Sequence, residues 1–241
     1  MRNKKVIIIG GTTGIGREMA QQYVDKGYAV AISGRKQEYL DSFLQQNAGK
    51  PVATRCFDVL DAARDYHLQS MIEDLGGMDV FVYCSGIAHI NKTLDFSAEL
   101  DVMQTNTAAF TSLVCQAFNY QAAHGGGQIA GISSVAANRG LQANPAYSAS
   151  KAYMSNYLEA LWFRAQKRNL PITVTDVKPG FVATKMAMGN NLFWVVPVPK
   201  CARQTIAAIE AGKKEVYVSR RWRYVAFVLR HIPTWLAKRM L

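Results

Sequence analysis

Short runs of apolar residues alternate with segments of helical periodicity along most of the chain. Residues 6–9 form a continuous apolar run, which is typical of a strand buried on both faces. Residues 17–26 instead place Met19 and Tyr23 four positions apart, on one face of a helix. Similar runs predict further strands at residues 28–33, 52–57, 79–84, 128–133, 172–177 and 215–218. Helical patterns lie between the strands, at residues 62–75, 100–124, 146–168 and 201–211.

This regular exchange of strand and helix predicts an α/β fold. Parallel strands need long crossover connections, and helices supply them. We therefore expect a Rossmann-type, doubly wound parallel sheet of about seven strands, with helices on both of its faces. No linker interrupts the pattern, so residues 1–241 are predicted to form a single domain.

Composition excludes several classes of protein. An apolar fraction of 49% over 241 residues is typical of a globular chain with a substantial core. The four cysteines have neither metal-ligand nor disulfide-framework spacing, so we expect no metal site and a reducing compartment. No apolar stretch approaches the roughly 18 residues of a membrane-spanning helix, and the N-terminal run is too short for a secretory signal. A cytoplasmic location is therefore expected.

A glycine-rich turn, GGTTGIG, follows the first predicted strand and precedes the first predicted helix. Its glycines allow a tight turn and close backbone approach, while the helix N-terminus offers unpaired N–H groups to a pyrophosphate. The turn therefore predicts a dinucleotide site. The candidate cofactor contacts in it are Gly10, Thr12, Thr13, Gly14, Ile15 and Gly16.

The end of the second predicted strand bears on the choice of nicotinamide cofactor. An acidic side chain at this place would accept a hydrogen bond from the ribose 2′-hydroxyl of NAD. The chain has Arg35 instead, and a planar guanidinium suits a 2′-phosphate. We therefore predict that NADP(H) is favoured over NAD(H). The alternative is that Arg35 is a solvated surface residue and that Lys36 makes any phosphate contact.

Tyr147 and Lys151 form a candidate proton-transfer pair. They lie four positions apart in a predicted helix and so share one of its faces. A free tyrosine has a pKa of about 10, which makes it a poor acid or base at neutral pH. A neighbouring ammonium group favours the phenolate, so we expect Lys151 to lower the pKa of Tyr147. Ser134 lies thirteen positions upstream of the tyrosine.

Several motifs, taken together, resemble those of the classical short-chain dehydrogenase/reductase family over about residues 5–185. The glycine turn is similar to the family's TGxxxGxG, with Ile9 where threonine is usual. PGFVAT at residues 179–184 resembles the family's PGxVxT turn, which holds the nicotinamide end of the cofactor. YCSG at residues 83–86 occupies the place of the family's Asn-Asn-Ala-Gly, and only its final glycine matches.

The resemblance implies reversible hydride transfer between a nicotinamide cofactor and a carbonyl or secondary alcohol. It marks Ser134, Tyr147 and Lys151 as catalytic, with Ser133 the less favoured neighbour, and implies that Asn106 supports a water chain from the lysine to solvent. In reduction, the serine and tyrosine would polarise the substrate oxygen and the tyrosine would donate its proton. The further cofactor contacts that it implies are Asp58, Val59, Ser85, Gly86, Tyr147, Lys151, Pro179, Gly180, Val182 and Thr184.

Other interpretations of these residues remain open. Ser134 could only cap the end of a strand, and Asn106 could bond the backbone of its own helix. The chain as a whole could be a catalytically silent NADP(H)-binding regulatory protein of the same fold. The complete set of four polar residues favours the enzyme, because a binding module does not need all of them. The resemblance also implies a homodimer or homotetramer.

Residues 185–200 are predicted to be the substrate lid. Phe193 and Trp194 stand between glycine and proline in this segment. Large apolar side chains there favour a bulky or lipophilic small-molecule substrate and a flap that closes over it. The alternative is that the two rings pack on the core or on a subunit interface.

Residues 220–241 form a basic amphipathic tail. The net charge of +11 is concentrated near this end, since residues 200–241 carry ten Lys/Arg against two acidic residues. Trp222, Val225, Val228 and Leu229 are predicted to share a helical stripe flanked by these cations. This arrangement predicts either peripheral attachment to an anionic inner membrane surface or burial in an oligomer interface. No nucleic-acid motif accompanies the charge, so we expect no nucleic-acid partner.

Overall fold

The structure is a computed structural model that describes residues 3–186 and 192–240. One sheet contains all seven strands of the described chain, in the order β3-β2-β1-β4-β5-β6-β7, and every neighbouring pair is parallel. The strands are β1 Lys5–Ile9, β2 Ala29–Gly34, β3 Val52–Cys56, β4 Val80–Tyr83, β5 Gly127–Ile132, β6 Ile172–Pro179 and β7 Glu215–Val218. The predicted Rossmann-type sheet is therefore confirmed.

Helices cover both faces of the sheet. They are α1 Gly14–Asp25, α2 Gln37–Gln46, α3 Arg64–Leu75, α4 Phe96–Met103, α5 Ala109–Ala123, α6 Pro145–Lys167, α7 Val198–Glu210, α8 Trp222–His231 and α9 Thr234–Met240. A π-helical turn, Gln104–Ala108, joins α4 to α5, and a 3-10 turn, Val135–Asn138, follows β5. None of the described helices is long and apolar enough to cross a membrane.

Two apolar cores lie on opposite faces of the sheet. Met19 of α1, Leu40 of α2 and Ile206 of α7 belong to one core. Phe110 of α5 and Leu158 of α6 belong to the other. Because both faces are covered, strand residues of either orientation are buried, which is why the strands are continuous apolar runs in the sequence.

The order of the strands reverses between β1 and β4, where consecutive crossovers leave in opposite directions. Ile9 at the end of β1 is level with Tyr83 at the end of β4, so a crevice opens above both carboxyl ends. In doubly wound sheets this switch point is the usual ligand site. The glycine turn after β1 lies directly above it.

The structure differs from the sequence prediction at three helical segments. The helix predicted over residues 100–124 begins earlier, at Phe96, and contains the π-helical turn. The short helix α2 was not predicted. The tail forms two helices; of the predicted stripe, Trp222 is buried, Val225 and Leu229 are half-buried, and Val228 is 49% exposed, so the stripe is not one uniformly exposed face. Within the predicted lid, residues 187–191 lie outside the described part of the chain.

Candidate active site

The glycine turn passes close to the neighbouring strand ends. Gly10 has a φ of +83°, and a Cβ on it would lie 2.7 Å from the backbone nitrogen of Ser85, so a larger residue would be both strained and crowded. Thr13 occupies the N-cap of α1 but makes no side-chain capping hydrogen bond within the described structure. The Thr13 side chain therefore leaves the N-terminus of α1 open to an anion above the crevice, while the Gly16 N–H is directed to the Cys84 sulfur.

The end of β2 presents two exposed cations. The Arg35 side chain is 69% exposed, and its Nη1 lies 3.6 Å from Oδ2 of Asp58. Asp58 also accepts a hydrogen bond of 2.9 Å from the backbone nitrogen of Leu60. Lys36 is similarly exposed, 3.7 Å from Glu38. Both cations can thus reach a phosphate, and the geometry leaves the two alternatives for the 2′-phosphate contact open.

The two serines at the end of β5 point in different directions. Ser133 is buried, and its hydroxyl donates to Asp176 and, over 3.2 Å, to the carbonyl oxygen of Val177. Ser134 caps the 3-10 turn by accepting from the backbone nitrogen of Ala136 at 3.1 Å, and it also forms a hydrogen bond with Tyr147. Ser134 therefore combines the capping role with contact to the tyrosine, whereas Ser133 is held in the sheet.

Tyr147 and Lys151 lie on the first turns of α6. The Lys151 Nζ is 5.7 Å from the centre of the Tyr147 ring and donates a hydrogen bond of 2.9 Å to the carbonyl oxygen of Ile132. Burial lowers the pKa of Lys151 to about 8, although the nearby Cys84 and Asp176 act in the opposite direction. The ammonium form is thus retained at neutral pH, directly beneath the tyrosine.

The pKa of Tyr147 differs from the expected direction. We expected Lys151 to lower it, but in the structure burial raises the pKa of Tyr147, and the hydrogen bond from Ser134 opposes this only in part. The physical reason is that the phenol lies half-buried among protein atoms in the crevice, while the lysine charge is itself buried and hydrogen-bonded to the Ile132 carbonyl oxygen. Tyr147 is therefore a protonated acid at neutral pH.

Asn106 lies within the π-helical turn between α4 and α5 and is fully buried. Its Oδ1 accepts from the Ile87 backbone nitrogen at 2.9 Å, and its Nδ2 donates to the Ile87 carbonyl oxygen at 2.9 Å and to Ser150 Oγ at 3.0 Å. The side chain thus does not bond its own helix, as one alternative supposed. A Cβ on Gly86 would lie 3.2 Å from Oδ1 of Asn106 and 3.3 Å from Nζ of Lys151, so these two groups border the same space.

The turn after β6 closes the other side of the crevice. Gly180 donates its backbone N–H to the Val218 carbonyl oxygen at 2.9 Å, and Val182 forms a bridge with Val196. A Cβ on Gly14 would lie 3.3 Å from Thr184 Cγ2, so this turn meets the glycine turn. The fold therefore brings the two predicted ends of a cofactor site together above the sheet.

Three contributors were missed by the sequence reasoning. Ser150 bonds Asn106, and its only signal was its place between Tyr147 and Lys151. Cys84 lies beneath the glycine turn, where burial raises its pKa to about 11 and the charge of Lys151 partly opposes the shift. Trp222 packs its indole directly on Gly180, a long-range contact with no signal in the sequence.

Comparison with known proteins agrees with this geometry. Residues 4–192 match the family model described as short chain dehydrogenase. The chain belongs to the short chain dehydrogenase family. It is an oxidoreductase of CH–OH and C=O groups that uses a nicotinamide cofactor.

Two individual relatives are each less than 30% identical to this chain. An uncharacterized oxidoreductase of Myxococcus xanthus is 29% identical over 196 residues, covering 79% of this chain and 77% of its own. Dehydrogenase/reductase SDR family member 7B of Bos taurus is 27% identical, covering 100% of this chain and 81% of its own. A gluconate 5-dehydrogenase of Burkholderia cenocepacia, solved with NADP and tartrate, has a TM-score of 0.81 at 17% identity and covers 93% and 96% of the two chains. The similarity to this gluconate 5-dehydrogenase is a similarity of fold.

The described residues fit a dinucleotide cofactor. The uncapped N-terminus of α1 and the close glycine turn provide a cradle for the pyrophosphate, and the space beside Gly86 lies next to Lys151. A nicotinamide cofactor supplies or accepts the hydride, while the protein orients the partners. No cluster of three or more metal-ligating side chains occurs among the described residues.

Proposed function

We propose that this enzyme uses NADP(H) to interconvert a bulky or lipophilic carbonyl compound and its secondary alcohol. The observation that supports this most directly is a cluster of polar side chains at the crevice. Ser134 is bonded to Tyr147, and Lys151 lies below the tyrosine ring beside the buried Asn106. Such an arrangement combines an acid, a fixed positive charge and a hydrogen-bond donor at the switch point of the sheet.

In the reductive direction, the hydroxyls of Ser134 and Tyr147 donate hydrogen bonds to the substrate oxygen. Negative charge develops on this oxygen as the carbonyl is reduced, so both bonds strengthen in the transition state. Tyr147 then gives its phenolic proton to the oxygen. Its raised pKa suits this role, because the proton is present at neutral pH.

Lys151 stabilises the phenolate that remains after proton transfer and holds the ribose hydroxyls of the cofactor. Asn106 acts on the lysine side of the site. Its amide is fixed by Ile87 and Ser150, which places Oδ1 beside the space that Lys151 Nζ also borders. We propose that a water there returns a proton to the lysine from solvent.

The preference for NADP(H) rests on the end of β2. Arg35 is exposed, and Asp58, its nearest carboxylate partner, is already bonded to the backbone of Leu60. The exposed Arg35 guanidinium can therefore turn towards a 2′-phosphate at little free-energy cost. Titration with NADPH and NADH, followed by nicotinamide fluorescence, tests the preference, and tighter binding of NADH would contradict it.

The preference for a bulky substrate rests on the aromatic side of the crevice. Phe193 and Trp194 are 49% and 42% exposed, and the ring centre of Phe193 lies 5.8 Å from that of Phe181 in the turn after β6. Partly exposed rings next to the turn offer apolar contact to a large substrate. A panel of short and long aliphatic ketones, aromatic ketones and the corresponding alcohols tests this point by nicotinamide absorbance.

The same assay separates the enzyme from the silent regulatory protein of the same fold. If NADPH binds while no member of a broad panel is turned over, the silent protein is supported. Tyr147→Phe provides the internal control, because it should abolish turnover without preventing cofactor binding.

We further propose a cytoplasmic protein that forms a homodimer or homotetramer. Tyr153 and Phe163 on the outer side of α6 are 40% and 54% exposed, which supports a subunit contact along this helix. Light scattering of the purified chain measures its molar mass, and a monomer at micromolar concentration would contradict the assembly. We also propose contact with a membrane surface through residues 220–241.

A further inference from the structure

The C-terminal arm, residues 220–240, differs in charge from the rest of the molecule. Residues 220–241 contain six Lys/Arg and neither Asp nor Glu. Within the described structure, none of the cations from Arg220 to Lys238 makes a salt bridge to a carboxylate. The arm therefore presents positive charge that no salt bridge among the described residues neutralises, although Arg230 is near enough to lower the pKa of Glu159.

The inner face of the arm is fixed to the body of the enzyme. Trp222 is 3% exposed, and its ring centre lies 5.4 Å from that of Phe181 and 5.1 Å from that of Phe193. Its indole also covers Gly180, where any Cβ would overlap the ring. Ala226 continues this buried face along α8. The orientation of α8 on the turn after β6 is thus determined by packing.

The outer face of the arm presents aromatic rings to solvent. Tyr224, Phe227 and Trp235 are 59%, 64% and 67% exposed, and Val228 is 49% exposed. Tyr224 and Phe227 lie on the side of α8 opposite to the buried Trp222, and Trp235 belongs to α9. Large exposed rings on adjacent turns of one element mark a surface that contacts a partner.

Cations surround these rings. Arg223 lies 4.7 Å from the ring centre of Tyr224 and donates a hydrogen bond of 2.7 Å to its hydroxyl. Arg221 lies 4.9 Å from the ring centre of Trp194, in the lid. Arg230 at the end of α8 and Lys238 in α9 are exposed. Basic groups beside tryptophan, tyrosine and phenylalanine are the composition of an element that lies at an anionic lipid interface.

We propose that the outer face of α8 and α9 docks on an anionic lipid surface, with the aromatic rings entering the headgroup region and the arginines contacting phosphates. A second copy of the chain fits this face less well, because a two-fold contact would bring both unneutralised sets of cations together. The inner face of the same helix packs through Trp222 on Gly180 and Phe181, in the turn that closes one side of the crevice. Docking therefore places the crevice beside the lipid surface, which deepens the proposed function by naming the source of a lipophilic substrate.

Sedimentation with lipid vesicles tests the docking directly. The full-length protein is mixed with vesicles of phosphatidylglycerol and phosphatidylcholine, or of phosphatidylcholine alone. We expect the protein to pellet with the first and to stay in the supernatant with the second. Raising the salt concentration should return it to the supernatant, because the arginine–phosphate attraction is screened. Wild-type protein that never pellets with the anionic vesicles would overturn the proposal.

Two double variants assign the binding to this face. Phe227→Ser with Trp235→Ser removes exposed rings, and Arg223→Glu with Arg230→Glu reverses exposed charges. Each should reduce the vesicle-bound fraction about tenfold or more. The matched controls change equally exposed residues elsewhere, Tyr66→Ser with Phe96→Ser and Lys167→Glu with Arg168→Glu, and should pellet like wild type. Equal binding by arm variants and controls would contradict the assignment.

Two further measurements identify a different occupant. If the arm variants lower the molar mass in light scattering and wild type ignores vesicles, the face belongs to a second copy. If wild type binds a fluorescent oligonucleotide but no vesicle, it belongs to a nucleic acid. Both results reject the lipid proposal. Since sedimentation needs no turnover, failure of the proposed reaction leaves this result intact, and retained turnover does not rescue a failed docking.

Discussion

The crevice and the C-terminal arm are adjacent, yet they differ in how their polar groups are satisfied. In the crevice, Asn106 and Lys151 are buried, and each is bonded to named partners from other elements. On the arm, Arg220, Arg223 and Arg230 are exposed and make no salt bridge within the described chain. Buried polar groups held by hydrogen bonds are suited to fixed chemistry, whereas exposed cations without salt bridges are suited to an external partner.

Trp222 links the two regions, because it belongs to the arm by sequence and to the crevice by packing. Its ring covers Gly180 of the turn that follows β6. Changes on the inner side of α8 should therefore affect the fold and the reaction, while changes on the outer side should affect only the external contact.

The largest effect is expected for Tyr147→Phe. This change removes the proton donor and leaves the ring in place, so kcat should fall about a thousandfold, within the usual range for loss of a general acid. NADPH binding, measured by fluorescence, should change little.

Tyr153→Phe is the matched control for this variant. Tyr153 lies on the same helix, is 40% exposed and bonds Thr111 through its hydroxyl at 2.7 Å. Its variant should retain wild-type kcat. A Tyr147→Phe enzyme that keeps more than about a tenth of wild-type kcat would remove the assigned acid role.

Two tryptophans of the arm provide the second test. Trp222→Ala creates a cavity among Gly180, Phe181 and Phe193, and should lower the free energy of unfolding by about 3 kcal/mol. Trp235→Ala removes a ring that is 67% exposed, and should change the free energy of unfolding by less than about 0.5 kcal/mol. Denaturant unfolding measures both. Similar losses from the two variants would mean that the arm has no distinct inner face.

Gly180→Ala tests the contact between Gly180 and the Trp222 indole by changing the glycine. The added methyl overlaps the indole of Trp222, so the variant should lose about 1–3 kcal/mol of stability. In a Trp222→Ala background the space is open, and the same substitution should cost much less. Additive losses in the double variant would show that the two residues do not interact.

Much of the fold and of the site could be predicted because the determinants are local. Strands buried on both faces appear as apolar runs, and Tyr147 and Lys151 owe their proximity to the pitch of one helix. The direction of the Tyr147 pKa could not be predicted, since burial depends on the whole crevice.

The orientation of the arm also escaped prediction. A helical stripe of apolar residues does not reveal which face meets the body of the enzyme when rings lie on both faces. The inward face of α8 is set by Gly180, because the missing side chain leaves room for the Trp222 indole beside Phe181. A contact between residues 42 positions apart has no periodic signal.

The fourth effect concerns cofactor choice. Arg35→Ser removes the proposed fork for the 2′-phosphate and should weaken NADPH binding about thirtyfold, a cost typical of a charge-assisted hydrogen bond. NADH binding should be nearly unchanged, because it has no such phosphate. Lys36→Ser tests the alternative that Lys36 contacts the 2′-phosphate. If this variant loses more NADPH affinity than Arg35→Ser, the phosphate contact belongs to Lys36. Fluorescence titration with both cofactors distinguishes the two.

The smallest effect is expected in the pH profile. The pKa of Lys151 is lowered to about 8, while the pKa of Tyr147 is raised, so the lysine loses its proton first as the pH increases. Loss of that charge removes the stabilisation of the phenolate but leaves the proton on Tyr147, so the reductive kcat/KM should fall above pH 8 by about tenfold in total.

Lys151→Arg separates the lysine from the tyrosine as the source of this decline. A guanidinium keeps its charge throughout the range, so the decline should move to higher pH, where Tyr147 itself loses its proton. The absolute rate of the variant is expected to be lower, because the planar group cannot reproduce the bond to the Ile132 carbonyl oxygen. The informative quantity is therefore the pH at which kcat/KM begins to fall. An unchanged profile in the variant would assign the titration to a group other than Lys151, and the fixed positive charge of the crevice would then have no role in setting the pH range of the reaction.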